Sequence, residues 1–250
     1  VATVGFFRDL RERQKLQDRL LQAERLAVLG RVAAHISHEI KNPLTIIGGF
    51  ARQILKNSSG ELQDRKKLQI ILEEVRRLED FLVEVGSFVK FAEPHPIQGD
   101  LNALLQETCL RLEPTLTENG IHLLLQPDPA IPGVKFDPHQ LRQVILNIAK
   151  NSIEAMPQGG TLTISSGRQS DRVFVQICDT GIGISPETMG KIFQPFYCYS
   201  TKPKGSGLGL IISQKIMEAH QGELTIESEP HKGTKVNLYL KMNCPGSGSI

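Results

Sequence analysis

Two seams of apolar residues constrain the first third of this chain more than anything else in it. Leu26, Leu29, Ala33, Ile36, Ile40, Leu44 and Ile47 recur at spacings of three and four. After the polar stretch Asn57-Ser58-Ser59-Gly60, Leu68, Ile71, Val75, Leu78, Leu82, Val85 and Val89 repeat the rhythm. Such spacing puts every apolar side chain on one stripe of an α-helix. Residues 24–91 are therefore expected to form two helices joined by a short turn, an antiparallel hairpin. A lone hairpin has nothing further against which to bury those stripes, so a second copy is expected to complete a four-helix bundle, making the chain a homodimer. Upstream, residues 8–25 are dense in Arg, Glu, Gln and Leu, and residues 1–23 read either as a coiled-coil extension of the first helix or as a solvated helix face.

The pattern changes at Glu93-Pro94-His95-Pro96. Each proline removes an amide donor and pushes the residue before it out of the helical region, so residues 92–96 read as a stiff linker. Residues 97–243 then read as an α+β domain. A helix over 100–119 ends at Asn119-Gly120 and is followed by the apolar strand 121–125. A second helix runs from Pro138 to Met156, strands follow near 161–166 and 172–178, and a third helix spans 208–220. Strands near 223–228 and 234–241 close a mixed sheet, and the Gly/Ser-rich residues 244–250 read as a disordered tail.

Composition excludes several classes. The chain has 250 residues with 40% hydrophobic and 22% charged, so it can build a buried core and is neither wholly disordered nor a membrane protein by composition. A net charge of +2 gives no electrostatic case for nucleic acid or an anionic membrane surface. Cys109, Cys178, Cys198 and Cys244 are scattered, without the pairing of a zinc knot or a disulfide framework, which points to a reducing compartment. No apolar run approaches the length of a membrane span. The chain starts without Met and reads as a piece of a longer protein.

Chemistry gathers in four places. His38 lies two residues from both Ile36 and Ile40, about 200° around a helix, and so faces away from the seam. Glu39 stands beside it, and Pro43 leaves the Glu39 carbonyl without its usual partner. An exposed imidazole with an adjacent carboxylate suits a nucleophile that accepts a phosphoryl group. Asn147 and Asn151 are spaced i,i+4 on one helix face, where their amide oxygens can hold Mg²⁺ together with phosphate oxygens, or serve a helix cap or core network. Asp179-Thr180-Gly181-Ile182-Gly183 places a carboxylate at a strand end, with glycines that allow close backbone approach to a ligand. Lys204-Gly205-Ser206-Gly207-Leu208-Gly209-Leu210 alternates glycines before a helix N-terminus, where free amides favour phosphate. Between the last two, Phe193-Gln194-Pro195-Phe196 and Ser200-Thr201-Lys202-Pro203-Lys204 read as a mobile lid.

In this order, His38-Glu39-Ile40-Lys41-Asn42-Pro43, Asn147 with Asn151, the Asp179 motif, Phe193 with Phe196, and Gly205, Gly207 and Gly209 resemble the H, N, G1, F and G2 boxes of the sensor histidine kinases of two-component systems. The resemblance covers about residues 24 to 242. It implies a dimerisation and histidine-phosphotransfer hairpin followed by an α+β sandwich of the Bergerat (GHKL) type, the fold shared with gyrase and mismatch-repair ATPases. His38 would be the phospho-acceptor, Glu39 its acid/base partner, and Asn42 the residue that positions a water for phosphatase action. ATP and Mg²⁺ would be the cofactors: Asn151 would hold the metal, Asn147 would support the phosphates and Asp179 would read the adenine amine. Gly181, Gly183, Gly205, Gly207, Leu208 and Gly209 would shape the pocket, with Lys202 and Lys204 near the phosphates. The partners implied are a second copy and the receiver domain of a response regulator. Residues 1–23 would carry a signal from a preceding sensor, and the chain would lie in the cytoplasm, free or behind a membrane anchor.

One position departs from the family pattern: Glu154 stands three residues past Asn151, where Lys or Arg is common. Two alternatives stay open at this level. A gyrase-like ATPase would need a general-base Glu where Asn147 stands, and a pseudokinase scaffold would dimerise and dock a receiver without transferring phosphate.

Overall fold

The computed structural model describes residues 40–54, 61–89, 93–194, 197 and 207–242. The chain divides into two compact units, Val1–Phe91 and Ala92–Ile250. The upstream segment expected to form a coiled coil, the start of the first seam and the C-terminal tail lie outside the described residues.

In the first unit, residues 40–54 form helix α1 and Glu61–Val89 form the 29-residue helix α2. Pro43 sits inside α1, buried, without ending it. Along α2 the seam splits into two rows. Ile71, Leu78 and Val85 are half-buried, whereas Leu68 and Leu82 are 50% and 51% exposed, with Val75 between them also exposed. Leu68, Val75 and Leu82 are seven residues apart, the repeat of a row that meets another helix.

The second unit is a five-stranded sheet with helices on one face. Its strands are β2 (Ile121–Gln126), β4 (Gly160–Gln169), β5 (Arg172–Asp179), β6 (Glu223–Ser228) and β7 (Thr234–Lys241), in the order β2-β4-β5-β7-β6. β2 runs parallel to β4 and the remaining pairs are antiparallel. β1 (Ile97–Gly99) and β3 (Val134–Phe136) form a separate two-stranded ladder. The helices are α3 (Leu101–Glu118), α4 (Pro138–Glu154), the single turn α5 (Pro186–Met189) and α6 (Gly209–Ala219). This is the sandwich expected from the sequence, with β1, β3 and α5 as additions that the pattern did not signal.

Burial alternates along β5: Val173, Val175, Ile177 and Asp179 are buried, and the residues between them are not. The covered face therefore ends on a carboxylate. Helix α4 packs the stripe Leu141, Val144, Ile145, Ile148, Ala149 and Ser152 against the sheet. Its start is set by Asp137, whose Oδ1 accepts the amides of His139 and Gln140 at 2.9 and 3.1 Å, with Pro138 at the first helical position. Burial opposes ionisation of Asp137, but the three amides of His95, Gln140 and His139 outweigh it and hold its pKa below the ordinary aspartate value.

Candidate active site

Helix α4 connects the two glycine-rich segments. Near its middle, Asn147 Nδ2 donates to the carbonyl of Gly209, the first residue of α6, at 3.3 Å. Two turns on, the Ala155 carbonyl accepts the amide of Ile182 at 3.0 Å, and a Cβ on Gly181 would stand only 2.5 Å from the same oxygen. The eight-residue step from Asn147 to Ala155 spans about 12 Å, a length on the scale of a nucleotide. Asn151 lies between them, exposed, and Ser152 beside it is buried.

Asp179 is 8% exposed and nearly enclosed by donors. Its Oδ1 accepts the amides of Gly181 and Thr234 at 2.9 and 3.1 Å, and its Oδ2 accepts the Ser152 hydroxyl at 3.0 Å. An ionised carboxylate has about four acceptor positions, so one on Oδ2 is left for a ligand donor such as an exocyclic amine. Burial raises the Asp179 pKa above the ordinary aspartate value, against the lowering effect of the three hydrogen bonds. The buried carboxylate gains from an additional donor.

The glycines have reasons of their own. The sequence suggested that Gly181 and Gly183 let a ligand approach the backbone; in the structure they let protein backbone approach protein backbone. Gly181 faces the Ala155 carbonyl, and Gly183, at φ +66, faces the Glu229 carbonyl so closely that no side chain fits. Gly233, at φ +86, packs likewise on the Asp179 carbonyl. Gly207 is also left-handed, at φ +68, and delivers the chain to Leu208, which is fully buried at the entrance to α6. No side chain caps α6 through a hydrogen bond, and a helix N-terminus of this kind favours anions.

The structure thus brings Gly209, with Gly207 and Leu208 before it, to Asn147 near the middle of α4, and Asp179, Gly181 and Gly183 to its C-terminal end, with Asn151 between. Asn42 is an exposed residue of α1 in the other unit. His38, Glu39, Lys202, Lys204 and Gly205 lie outside the described residues, as does most of the expected lid. Phe193 is described and is 37% exposed. Sequence reasoning missed Ser152 and Thr234. Ser152 interrupts an apolar helix stripe and Thr234 follows Gly233 at a strand start; a polar residue in a buried stripe was the available signal.

Comparison with known proteins agrees with this architecture. Residues 28–87 match the family model of the His Kinase A (phospho-acceptor) domain, and residues 136–243 match that of the histidine kinase-, DNA gyrase B-, and HSP90-like ATPase. Sporulation kinase E of Bacillus subtilis is 36% identical over 241 residues, covering 95% of this chain and 32% of that protein. The signal transduction histidine-protein kinase AtoS of Escherichia coli is 33% identical over 251 residues, covering 100% of this chain and 41% of that protein. Among solved structures, histidine kinase ThkA in complex with response regulator protein TrrA superposes with a TM-score of 0.79 at 29% identity, covering 92% of this chain and 66% of that one. The chain thus spans less than half the length of these two curated relatives. With a phospho-acceptor domain followed on one chain by a gyrase B/HSP90-like ATPase domain, it belongs to the histidine kinases.

Proposed function

We propose that this chain is an ATP-dependent protein-histidine kinase that phosphorylates His38 and passes the phosphoryl group to an aspartate of a response regulator receiver domain. In the first step the bond from the γ-phosphorus to its bridging oxygen breaks, ADP leaves, and a phosphorus–nitrogen bond forms at the His38 imidazole while Glu39 takes the ring proton. Asp179 would accept from the adenine amine, and the uncapped start of α6, with Gly205, Gly207 and Gly209, would face the phosphates. Lys202 and Lys204 would supply positive charge there.

The observation that carries this reading is Asn147. An ATPase that activates water needs a carboxylate at such a place, and this chain has an amide tied to Gly209. With no carboxylate at that position to activate water, the γ-phosphoryl group would await a presented nucleophile. The donor set also fits Mg²⁺. Among the described residues no cluster of His, Cys, Asp or Glu could hold a metal by itself, whereas the exposed Asn151 offers the single hard oxygen that suits an ion otherwise held by phosphates and water. That ion would neutralise charge on the β- and γ-phosphates.

A second copy would cover the row Leu68, Val75 and Leu82. The solved ThkA–TrrA complex makes a receiver domain the expected phosphoryl acceptor. No helix among the described residues is long and apolar enough to cross a membrane, and ATP as substrate suits the cytoplasm. The test is incubation with γ-labelled ATP and Mg²⁺ followed by phosphopeptide mapping. Label stable to alkali, lost in acid and confined to the His38 peptide is expected; no label, or label undiminished in His38→Gln, overturns the assignment.

A further inference from the structure

Ser228 is the last residue of β6, far from every motif named above, yet its hydroxyl has all of its hydrogen-bonding capacity engaged beside Asp179. It donates its single proton to the Gly233 carbonyl at 2.8 Å and accepts the amide of Ile184 at 2.9 Å. Thr234 Oγ1 lies 2.9 Å away. With the Ser228 proton committed to Gly233, the Thr234 hydroxyl is the donor in that contact. Ser228 therefore holds both sides of the pocket's adenine end: the loop after Asp179, through Ile184, and the start of β7, through Gly233 and Thr234.

Both sides matter to Asp179. Thr234 gives its amide to Asp179 Oδ1, and Gly181, three residues before Ile184, gives the other. The β6–β7 turn that Ser228 closes does not hold its shape cheaply. His231 is a non-glycine residue at φ +62, and its amide is spent on the Ile182 carbonyl at 2.8 Å. Gly183 and Gly233 admit no adjustment, because their neighbours are backbone carbonyls. The Ser228 hydroxyl is thus a side-chain joint between two segments that meet over Asp179, beside the backbone bond from His231 to Ile182.

We propose that Ser228 is a positioning residue for nucleotide binding, acting through Ile184 and Thr234 on the geometry of Asp179. It does not touch the reacting atoms. The inference rests on the kinase reading above, in which this pocket holds ATP.

The test compares Ser228→Ala, Ser228→Thr and Thr225→Ala in the full chain, using ADP as the binding probe and ATP for kinetics. Thr225 lies on the same strand, but its hydroxyl serves Asn237 at 3.2 Å, away from the pocket. Ser228→Ala is expected to raise the ADP dissociation constant and the KM for ATP about tenfold, the scale of one lost hydrogen bond, with kcat within about twofold. Ser228→Thr should restore both to within about twofold, and Thr225→Ala should leave both unchanged. Unchanged ADP affinity in Ser228→Ala, equal loss in Thr225→Ala, or no rescue by threonine each overturns the proposal. If Ser228→Ala fails to fold, Ser228→Cys keeps a side chain of similar reach with a weaker acceptor; a folded Cys variant with unchanged affinity overturns it equally. Absence of ADP binding in the unaltered chain would overturn the kinase reading and this inference together, whereas normal binding with an indifferent Ser228→Ala removes this inference alone.

Discussion

His220 Nε2 accepts the backbone amide of Asp137 at 2.9 Å, joining the C-terminal end of α6 to the N-cap of α4 across 83 positions of sequence. The other ring nitrogen, Nδ1, lies 2.8 Å from the Ile216 carbonyl, which can only accept. The proton is therefore on Nδ1, and a single neutral tautomer serves both bonds. Asp137 in turn accepts the amide of His95 at 2.9 Å, so the proline-flanked segment is fastened to the same point. His220→Ala should cost about 1–2 kcal/mol of stability by leaving the amide of the buried Asp137 without an acceptor. His220→Gln, which can offer a carbonyl oxygen there, should recover part of it. Urea denaturation of the three proteins checks this, and a loss below about 0.5 kcal/mol in the alanine variant contradicts it.

Asp179→Asn should separate stability from binding. Burial raises the Asp179 pKa, so the folded chain holds this proton more tightly than the unfolded chain does. Stability from this group therefore falls as pH rises from the unfolded pKa through the folded one, and at neutral pH the bare carboxylate is a cost in the empty pocket. Asparagine can still accept from Gly181 and Thr234 and donate to Ser152. The empty variant should melt no lower than the parent at neutral pH, with any advantage shrinking in acid, while the rise in melting temperature on adding ADP disappears. A variant that melts well below its parent and still responds to ADP would contradict both halves.

Val75→Asp tests the outward row of α2. Val75 is exposed in the single chain, midway between Leu68 and Leu82, so the substitution removes little from the isolated unit. In a four-helix bundle it buries an unpaired charge from each copy, and dimer affinity should fall more than about 100-fold. Sedimentation velocity at micromolar concentration reads the outcome directly. An unaltered dimer would place the contact elsewhere.

Asn42→Ala addresses the reverse reaction. Asn42 is exposed on α1, four residues past His38, so on a continuous helix its amide stands one turn from the phospho-acceptor. There it can orient a water for in-line attack without ionising. Dephosphorylation of a phosphorylated receiver domain should slow about tenfold or more, while labelling of His38 from ATP changes less than about twofold. Equal loss of both rates would indicate damage to the helix instead.

Elements with a strong period were legible in the sequence. The helix expected from Pro138 to Met156 is α4, with a buried stripe from Leu141 to Ser152, and the strand expected over 172–178 is β5, whose alternating burial ends on Asp179. Pieces too short to show a period were not: β1 and β3 have three residues each, and their pairing is a tertiary event. β4 extends to Gln169 through Ser165, Ser166 and Gly167, weak strand formers. Gly167 is accommodated because the Phe174 ring lies across it from β5, which no local propensity reports. In the site, Asn147, Asp179 and the glycines announced themselves by motif. Ser152, Thr234 and Ser228 matter through partners between 6 and 55 positions away, and a linear pattern does not record such pairs.

The interlocked glycines also bear on how such a chain can be recombined. Gly183 is fitted to the Glu229 carbonyl and Gly233 to the Asp179 carbonyl, so each half of the joint is the mould of the other. A crossover between Ile184 and Ser228 that takes its two halves from different parents inherits one mould and a foreign cast, even when both parents carry every nucleotide-binding motif. Grafting the region from α6 onward therefore calls for moving the segment Asp179–Ile184 with it, as a single heritable block.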